Sequence, residues 1–269
     1  MCVGECKDPF VTYLKSFGYN ALQLPRANVS PLQVLAKSGK DLNWLGDLSD
    51  VFNVQTAEVL PLIERDVVAS SISGQRSGEV SIGVGLSLLG GVISALGGSK
   101  VGLDVGYKRA TSAVFEFPEV LSDTVSVVKL DRFLGASDVN PNAVSVGKML
   151  EADQIFVITS TIKSRKYTVV AKDKSGVDVA FDVPVIQNAV GGDVKVSAGG
   201  DRTGKVTYEG ATPLVFGFQA VQLFYEKGAY TAFEPVAAGT VTARGLGTGP
   251  GDGAKRLITE SGFAALRLD

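Results

Sequence analysis

Residues 80–88 read VSIGVGLSL, and two kinds of residue alternate along this stretch. Every second position is apolar, whereas the positions between them hold serine or glycine. Successive side chains of a strand point to opposite faces, so a period of two indicates a β-strand with one apolar face. The stretch therefore predicts a β-rich fold. Its apolar members are Val80, Ile82, Val84, Leu86 and Leu88.

The same alternation recurs in the next part of the chain. Val101, Leu103, Val105 and Tyr107 alternate with small or charged residues. This pattern predicts a second strand, which can run on to Phe117.

Further hairpins are predicted toward the C-terminal half. A long strand at 154–172 is followed by a turn at 174–176 and a return strand at 177–183. A strand pair spans 213–235 with a turn at Lys227-Gly228, because glycine and polar residues there interrupt the apolar pattern.

Two helices are also predicted. Asp8 can cap the first helix, Pro9 suits its first position, and Gly18 can end it. Asn140-Pro141 opens a second helix that reaches Leu150. The apolar face of the first helix consists of Phe10, Tyr13, Leu14 and Phe17.

The composition is that of a folded globular chain. It has 269 residues, of which 45% are hydrophobic and 20% are charged, and no shift in composition forces a second domain. The predicted fold class is therefore α+β: a single domain with a twisted, mainly antiparallel central sheet, peripheral helices and a short C-terminal tail. The tail, residues 254–269, follows a Gly/Thr-rich stretch at 239–253 that predicts a flexible loop.

Several functional classes are excluded or disfavoured. The chain has no histidine, so a Ser-His-Asp or Cys-His catalytic group is impossible. Two cysteines cannot complete a four-ligand zinc site or a disulfide framework, and a reducing, cytosolic setting fits them. The net charge of −2 argues against a nucleic-acid partner. Carboxylate pairs such as Glu116 with Glu119 could exchange protons, but such pairs are usually solvated, and no enzyme is predicted.

The long alternating strands have two interpretations. Half-buried antiparallel sheets always alternate, so the pattern fits an ordinary sheet. However, the strands at 101–117 and 154–171 exceed the usual length, and a membrane-spanning strand needs about 9–11 residues with one lipid face and one polar face. Both interpretations remain open at this point. No segment predicts a membrane-spanning helix.

The two cysteines lie close to the first helix. Cys6 stands two residues before the predicted helix and next to Lys7, and both features lower a thiol pKa. A cysteine beside an amphipathic helix can be S-palmitoylated, but the pattern alone favours an unmodified thiol.

Residues 6–35 read CKDPFVTYLKSFGYNALQLPRANVSPLQVL, and this opening resembles the N-terminus of bacterial gasdermins. The order of the later elements is similar over essentially the whole chain. The resemblance implies an autoinhibited, pore-forming protein that is a cytoplasmic monomer at rest. A caspase-like or trypsin-like protease would remove the C-terminal tail. The remaining body would then oligomerise with membrane lipids in the bacterial inner membrane as a large β-barrel pore, causing cell death in antiphage defence.

The resemblance also implies specific sites. Residues 1–243 would form the pore-forming domain, and 244–269 the protease-sensitive loop and autoinhibitory tail. A palmitoyl group on Cys6, or alternatively on Cys2, would be the only bound group, with no other cofactor and no metal. The cleavage region would contain Arg244, Leu246, Arg256 and Leu257. The tail would act through Leu257, Ile258, Phe263, Leu266 and Leu268. The membrane-inserting strands would carry Val80, Ile82, Val84, Leu86, Val101, Leu103, Val105, Ile155, Val157, Val177 and Val179.

A short tail can restrain such a body on energetic grounds. Burial of each large apolar side chain of the tail would contribute roughly 1.5–3 kcal/mol, and the sum is large beside a domain stability of about 5–15 kcal/mol. The alternative function is that of a non-enzymatic β-rich scaffold or interaction protein whose apolar strands form an ordinary core.

Overall fold

The computed structural model describes residues 9–38, 41–54, 59–100, 103–198, 204–236, 242–243 and 256–258. The helices of these residues are α1 (Pro9–Ser16), α2 (Leu48–Val51), α3 (Ile82–Ala95), α4 (Leu103–Gly106), α5 (Val127–Gly135), α6 (Val144–Glu151) and α7 (Val183–Val190). The strands are β1 (Asn20–Arg26), β2 (Gln33–Ser38), β3 (Asp41–Asp47), β4 (Phe52–Val54), β5 (Ile63–Val68), β6 (Val80–Ser81), β7 (Ser112–Glu116), β8 (Leu121–Val125), β9 (Ser137–Val139), β10 (Ile155–Lys172), β11 (Lys195–Ala198), β12 (Lys205–Glu226), β13 (Ala229–Pro235), β14 (Thr242–Ala243) and β15 (Arg256–Ile258).

The long strands β10 and β12 form the spine of the sheet. They pair antiparallel from Phe156 opposite Gln222 to Val170 opposite Lys205, with three register shifts on the way. The other edge of β10 is shared in succession by β2, β8 and β7. β10 is hydrogen-bonded on both edges, and apolar groups pack on both of its faces, so nearly all of its side chains are buried.

The remaining strands extend the sheet on both sides. Thirteen of the described strands belong to one sheet, and β4 and β9 form a separate pair. All of these pairings are antiparallel except that of β14 with β1. At one end of the sheet β15 lies against β3, which in turn pairs with β2.

Apolar side chains pack in three groups around the spine. The largest lies beneath α1, α3 and α7 and includes Leu14, Ile93, Ile162 and Phe216. A second group packs α2, α5 and α6 against the start of β10 and the end of β12. A third group fills the space between β1, β2 and β3 and the spine, around Phe156. The helices therefore lie at the periphery and the sheet at the centre.

The predicted fold class is confirmed: the described residues form one domain built on a mainly antiparallel sheet with peripheral helices. α1 begins at Pro9, and Gly18 follows it with a φ of +83°. The predicted strand at 154–172 corresponds to β10, and the turn at Lys227-Gly228 joins β12 to β13. The helix predicted after Pro141 is α6.

Three strand predictions are wrong for this conformation. Residues 82–95 form α3, residues 103–106 form α4, and the return strand at 177–183 is reduced to a single bridge before α7. The physical reason is visible in α3, where Gly85, Leu89, Val92 and Ile93 recur at helical spacing and are buried. The stretch thus carries two periods at once, and contact with the core favours the helical one here.

Candidate functional site

The first hairpin base, residues 76–82 with 111–116, lies where β6 pairs with β7. Val80 is opposite Ala113 and Ser81 is opposite Ser112. Just beyond β6 the amide of Ile82 donates to the carbonyl oxygen of Thr111 at 3.0 Å. β6 and β7 are therefore already paired as the two strands of a hairpin are, although the residues between them form α3 and α4.

α3 is an unusual helix for a surface position. Four of its 14 residues are glycine, and no charged residue occurs between Val80 and Ser99. Gly83, Val84 and Ser87 face solvent, with 43% of Val84 exposed. Each helix-interior glycine destabilises a helix by up to about 1 kcal/mol relative to alanine, so α3 depends on its packing rather than on intrinsic propensity.

Contacts at the C-terminal end of α3, and in the segment that follows it, hold these residues against the spine. Leu96 packs directly on the backbone of Gly210 in β12. The hydroxyl of Tyr107 lies 2.8 Å from the hydroxyl of Tyr208, and both tyrosines are buried. The ring of Tyr107 lies 4.7 Å from that of Phe181. These contacts join residues 96–107 to β12 and to the segment before α7.

The second hairpin base, residues 171–173 with 177–179, lies at the end of β10. The amide of Asp173 donates to the carbonyl oxygen of Val177 at 2.9 Å, and the amide of Val179 donates to that of Ala171 at 2.9 Å. Gly176 has a φ of +75°, as expected for a three-residue hairpin loop. The pairing stops there because β12 already occupies this edge of β10 from Val170 backward.

Charged side chains stabilise the first hairpin base. Glu116 accepts from Nζ of Lys205 at 2.9 Å and from Nε of Arg76 at 3.1 Å. Partial burial raises the pKa of Glu116, but the hydrogen bonds and charges of these two cations outweigh it and leave the pKa below its ordinary value. On the other side Glu79 accepts a hydrogen bond from the hydroxyl of Ser112. The ion pair of Glu116 with Lys205 therefore joins the base to β12.

A second ionic cluster lies under the middle of β10. Nζ of Lys163 is 2.7 Å from Asp123 and 2.9 Å from Asp66, and Asp123 is almost fully buried. The hydrogen bond and charge of Lys163 lower the pKa of Asp66. The cluster links β5, β8 and β10, and sequence analysis missed it because its members are 40 or more positions apart.

The N-terminal helix packs on an aromatic cluster. The ring of Phe10 contacts Phe115 and Phe117, and Phe117 stacks on Phe216 at 4.4 Å. Burial, with a smaller contribution from the charge of Glu116, raises the pKa of Tyr13 to about 12. Cys2 and Cys6, the candidate lipidation sites, lie outside the described residues. The structure does describe the helix that follows them, α1, which packs in an apolar group.

The end of the chain contributes the outermost strand of the sheet. Leu257 is opposite Leu42, and Arg256 and Ile258 are opposite Asn43 and Asp41. The backbone of β15 thus covers the edge of β3. The other predicted cleavage and tail residues, Arg244, Leu246, Phe263, Leu266 and Leu268, lie outside the described residues.

The predicted inserting residues fall into different environments. Val80 lies in β6, and Ile82, Val84 and Leu86 lie in α3. Leu103 and Val105 lie in α4, and Val101 is outside the described residues. Ile155 and Val157 are buried in β10. Val177 and Val179 belong to the second hairpin base. Ile155 and Val157 therefore share one face of β10, the other described members lie apart from them, and the insertion of the whole set stays a prediction.

Two negative findings apply to the described ranges. None of the helices α1 to α7 is long and apolar enough to cross a membrane. No group of three or more potential metal-binding acidic or thiol side chains occurs among the residues that the structure describes.

Comparison with known proteins identifies the family. A profile of the Bacterial Gasdermin Family matches residues 22–229. A gasdermin of a Desulfuromonadales bacterium is 51% identical over 97% of this chain and 98% of its own length. A gasdermin of Lysobacter enzymogenes is 44% identical over 90% of this chain and 89% of its own length.

A solved structure agrees with these sequence matches. The bacterial gasdermin of Bradyrhizobium tropiciagri has the same fold, with a TM-score of 0.59 at 19% identity over 86% of this chain and 92% of the other. The chain therefore belongs to the bacterial gasdermin family, a family of pore-forming effector proteins.

Proposed function

We propose that this protein is held inactive by its own C-terminal tail and forms membrane pores once a protease has removed that tail. The observation that carries the proposal is the position of β15 on the edge of β3. A free strand edge exposes unpaired backbone donors and acceptors and readily pairs with another chain. Loss of β15 would expose this edge and favour association between copies.

The proposed cut lies between the body and β15. The Gly/Thr-rich stretch 239–253, in which Thr242–Ala243 form β14, precedes β15 by a few residues, so a protease cutting near Arg244 or Leu246 would detach β15 from the domain. A cut at Arg256 or Leu257 would divide the strand itself. After cutting, the tail strand would no longer be held at high effective concentration and would dissociate. The protease is proposed to be caspase-like or trypsin-like.

The membrane-active parts are proposed to be the two hairpin bases and the segments that follow them. Both bases begin an antiparallel pairing that the resting chain does not continue. Strands that pair completely and close into a barrel leave no unpaired backbone in lipid. The pore is proposed to be a large homo-oligomeric β-barrel in the bacterial inner membrane, formed from a cytoplasmic monomer and causing cell death in antiphage defence.

Palmitoylation of Cys6 is proposed to assist membrane binding, with Cys2 as the alternative site. The support for this proposal is the position of Cys6 shortly before α1, which begins at Pro9, because a cysteine beside an amphipathic helix can be acylated. One acyl chain gives only marginal membrane affinity, so the inserting hairpins would supply the rest. Intact mass spectrometry of protein from its native host, comparing Cys6→Ala with Cys2→Ala, tests which thiol carries the group.

Dye release from liposomes tests the proposed function. We expect no release by the full chain and rapid release by a chain that ends at residue 243. A chain that ends at 258 retains β15, whereas one that ends at 255 lacks it, so this matched pair isolates the covering strand. We expect the shorter chain of the pair to release more dye. A folded chain 1–243 that stays silent on both anionic and zwitterionic vesicles would contradict the proposal.

A further inference from the structure

β5 forms an edge of the sheet. Among the strands that the structure describes, it pairs with β8 alone. All five residues from Glu64 to Val68 are exposed, with 48% of Val67 and 59% of Val68 accessible to solvent. A free strand edge that carries β-branched apolar residues readily pairs with another chain. The outer side of β5 is therefore a surface at which two molecules could associate.

A bulge interrupts β5 at its centre. The register of β5 against β8 shifts by one residue between Glu64 and Val67. Two residues, Arg65 and Asp66, therefore occupy the space opposite one residue, Asp123. Asp66 has a φ of +59°, a left-handed conformation that residues with a side chain rarely adopt. A bulge of this kind twists the strand and breaks its regular row of donors and acceptors, which hinders pairing with a further strand.

Buried charges hold the bulge in this conformation. The amide of Asp66 donates to Oδ1 of Asp123 at 2.8 Å, and the carboxylate of Asp66 accepts from Nζ of Lys163 at 2.9 Å. Nζ of Lys163 also donates to Oδ2 of Asp123 at 2.7 Å. The side chains of Lys163 and Asp123 are only 11% and 4% exposed, whereas that of Asp66 is 62% exposed. A change at Asp66 can therefore alter the bulge while Lys163 and Asp123 remain paired in the interior.

A second copy of β5 fits this edge when the bulge is absent. Two regular β5 strands related by a two-fold axis at residue 66 pair antiparallel, which places Val67 opposite Arg65 and Val68 opposite Glu64. Each exposed valine would then lie against the aliphatic stem of a charged side chain. Like charges would meet directly only at Asp66, opposite its own copy. Asp66 thus opposes the pairing both by its conformation and by its charge.

We propose that the bulge at Arg65 and Asp66 prevents the edge of β5 from pairing with a second copy of this chain. This restraint on self-association goes beyond the proposed function, because it acts in the full chain and needs neither the tail, a protease nor a membrane. Lys163 and Asp123 are its positioning residues, since they hold the amide and the carboxylate of Asp66.

Two substitutions at Asp66 separate the bulge from the ion pair. Asp66→Gly and Asp66→Thr both remove the carboxylate, but glycine adopts a φ of +59° without strain, whereas a β-branched residue favours the extended strand. We expect full-length Asp66→Gly to associate no more than the unsubstituted chain, and Asp66→Thr to dimerise with a dissociation constant at least tenfold lower. Sedimentation equilibrium over a range of protein concentrations, without lipid or protease, measures both constants. Equal association of the two variants would overturn the proposal.

Deletion of Asp66 is a second route to a regular edge. Without that residue β5 has no excess over β8, and the two strands can pair in one continuous register. The deletion variant should dimerise as Asp66→Thr does, and circular dichroism shows that each variant is folded. A folded deletion variant that stays as dissociated as the unsubstituted chain would overturn the proposal, even where Asp66→Thr fails to fold.

A lysine on the edge tests where the two copies meet. Lysine on an exposed edge strand blocks pairing with another strand. Asp66→Thr/Val68→Lys should therefore associate no more than the unsubstituted chain. Asp66→Thr/Val144→Lys carries its lysine in α6 at a position that is 70% exposed, and it should dimerise as Asp66→Thr does. Dimerisation that survives Val68→Lys would place the contact elsewhere and overturn the proposal.

Discussion

The spine strand β10 and the helix α3 are both rich in apolar residues, yet they are stabilised in different ways. β10 is hydrogen-bonded along both edges and buried over most of its 18 residues. α3 contacts the core along one side, contains four glycines and exposes Val84 and Ser87 to solvent. Long-range ladders therefore hold the spine, whereas local helix bonds and one packed face hold α3. The comparison indicates which part of the molecule can change its structure while the rest stays folded.

A charge placed in the spine should have the largest effect. Val157 in β10 is fully buried, so Val157→Asp should cost at least about 4 kcal/mol of unfolding free energy, because the carboxylate would lie in the core without a partner. Val128→Asp, at a position that is 67% exposed, should change that free energy by less than about 0.5 kcal/mol. Urea unfolding of both variants measures the difference. Similar effects of the two substitutions would refute the account of the spine.

The second-largest effect on the unfolding free energy should come from the hydroxyl pair of Tyr107 and Tyr208, which holds the segment after α3. Tyr208→Phe leaves the hydroxyl of Tyr107 buried without its partner and should cost about 1–3 kcal/mol. The double variant Tyr107→Phe/Tyr208→Phe should recover much of this loss, because no polar atom is left stranded. A double-mutant cycle from urea unfolding gives the coupling, and strictly additive losses would show that the two hydroxyls do not interact.

Stabilising α3 should slow its conversion. A Cβ at Gly83 meets no atom within 4 Å, so Gly83→Ala should stabilise the helix. The gain of up to about 1 kcal/mol should slow dye release after tail removal about fivefold. Gly147→Ala in α6 is a matched control, since it also meets open space within a helix. The control should stabilise the protein without slowing release, and equal slowing by both variants would argue against a special role for α3.

The smallest effect should come from the ion pairs at the first hairpin base. The pKa of Glu116 is depressed in the folded protein, so its carboxylate stabilises the fold at neutral pH. This contribution is present above the unfolded pKa and is lost as the pH falls below about 4.5 and through the folded pKa. Glu116→Gln should lower the unfolding free energy by about 1 kcal/mol at pH 7 and by less at pH 3. An equal loss at both pH values would contradict this assignment.

The sequence predicted the spine more accurately than α3, for a physical reason. In 154–172 every apolar residue except Ala171 is β-branched or aromatic and no competing helical pattern occurs, so the sequence predicts both β10 and the turn after it. In 80–95 the apolar residues fit both a strand period of two and a helical spacing. Packing against the core favours the helix, and this packing cannot be predicted from the pattern of one sequence.

The site was predictable only in part. The alternation singled out Val84 and Leu86, but the register of the first hairpin base, with Val80 opposite Ala113, was visible only in the folded chain. The partners of Lys163 and the contact of Leu96 with Gly210 depend on long-range pairings that only the folded chain shows.

Amide hydrogen exchange of liposome-bound protein tests the central claim most directly. Peptides from 82–95 should exchange quickly in the intact protein and become protected about a hundredfold after the tail is cut, as strand pairing replaces the weak helix. Peptides from 155–172 should stay protected throughout. Rapid exchange of 82–95 in protein that has already made the liposomes leak would contradict the account.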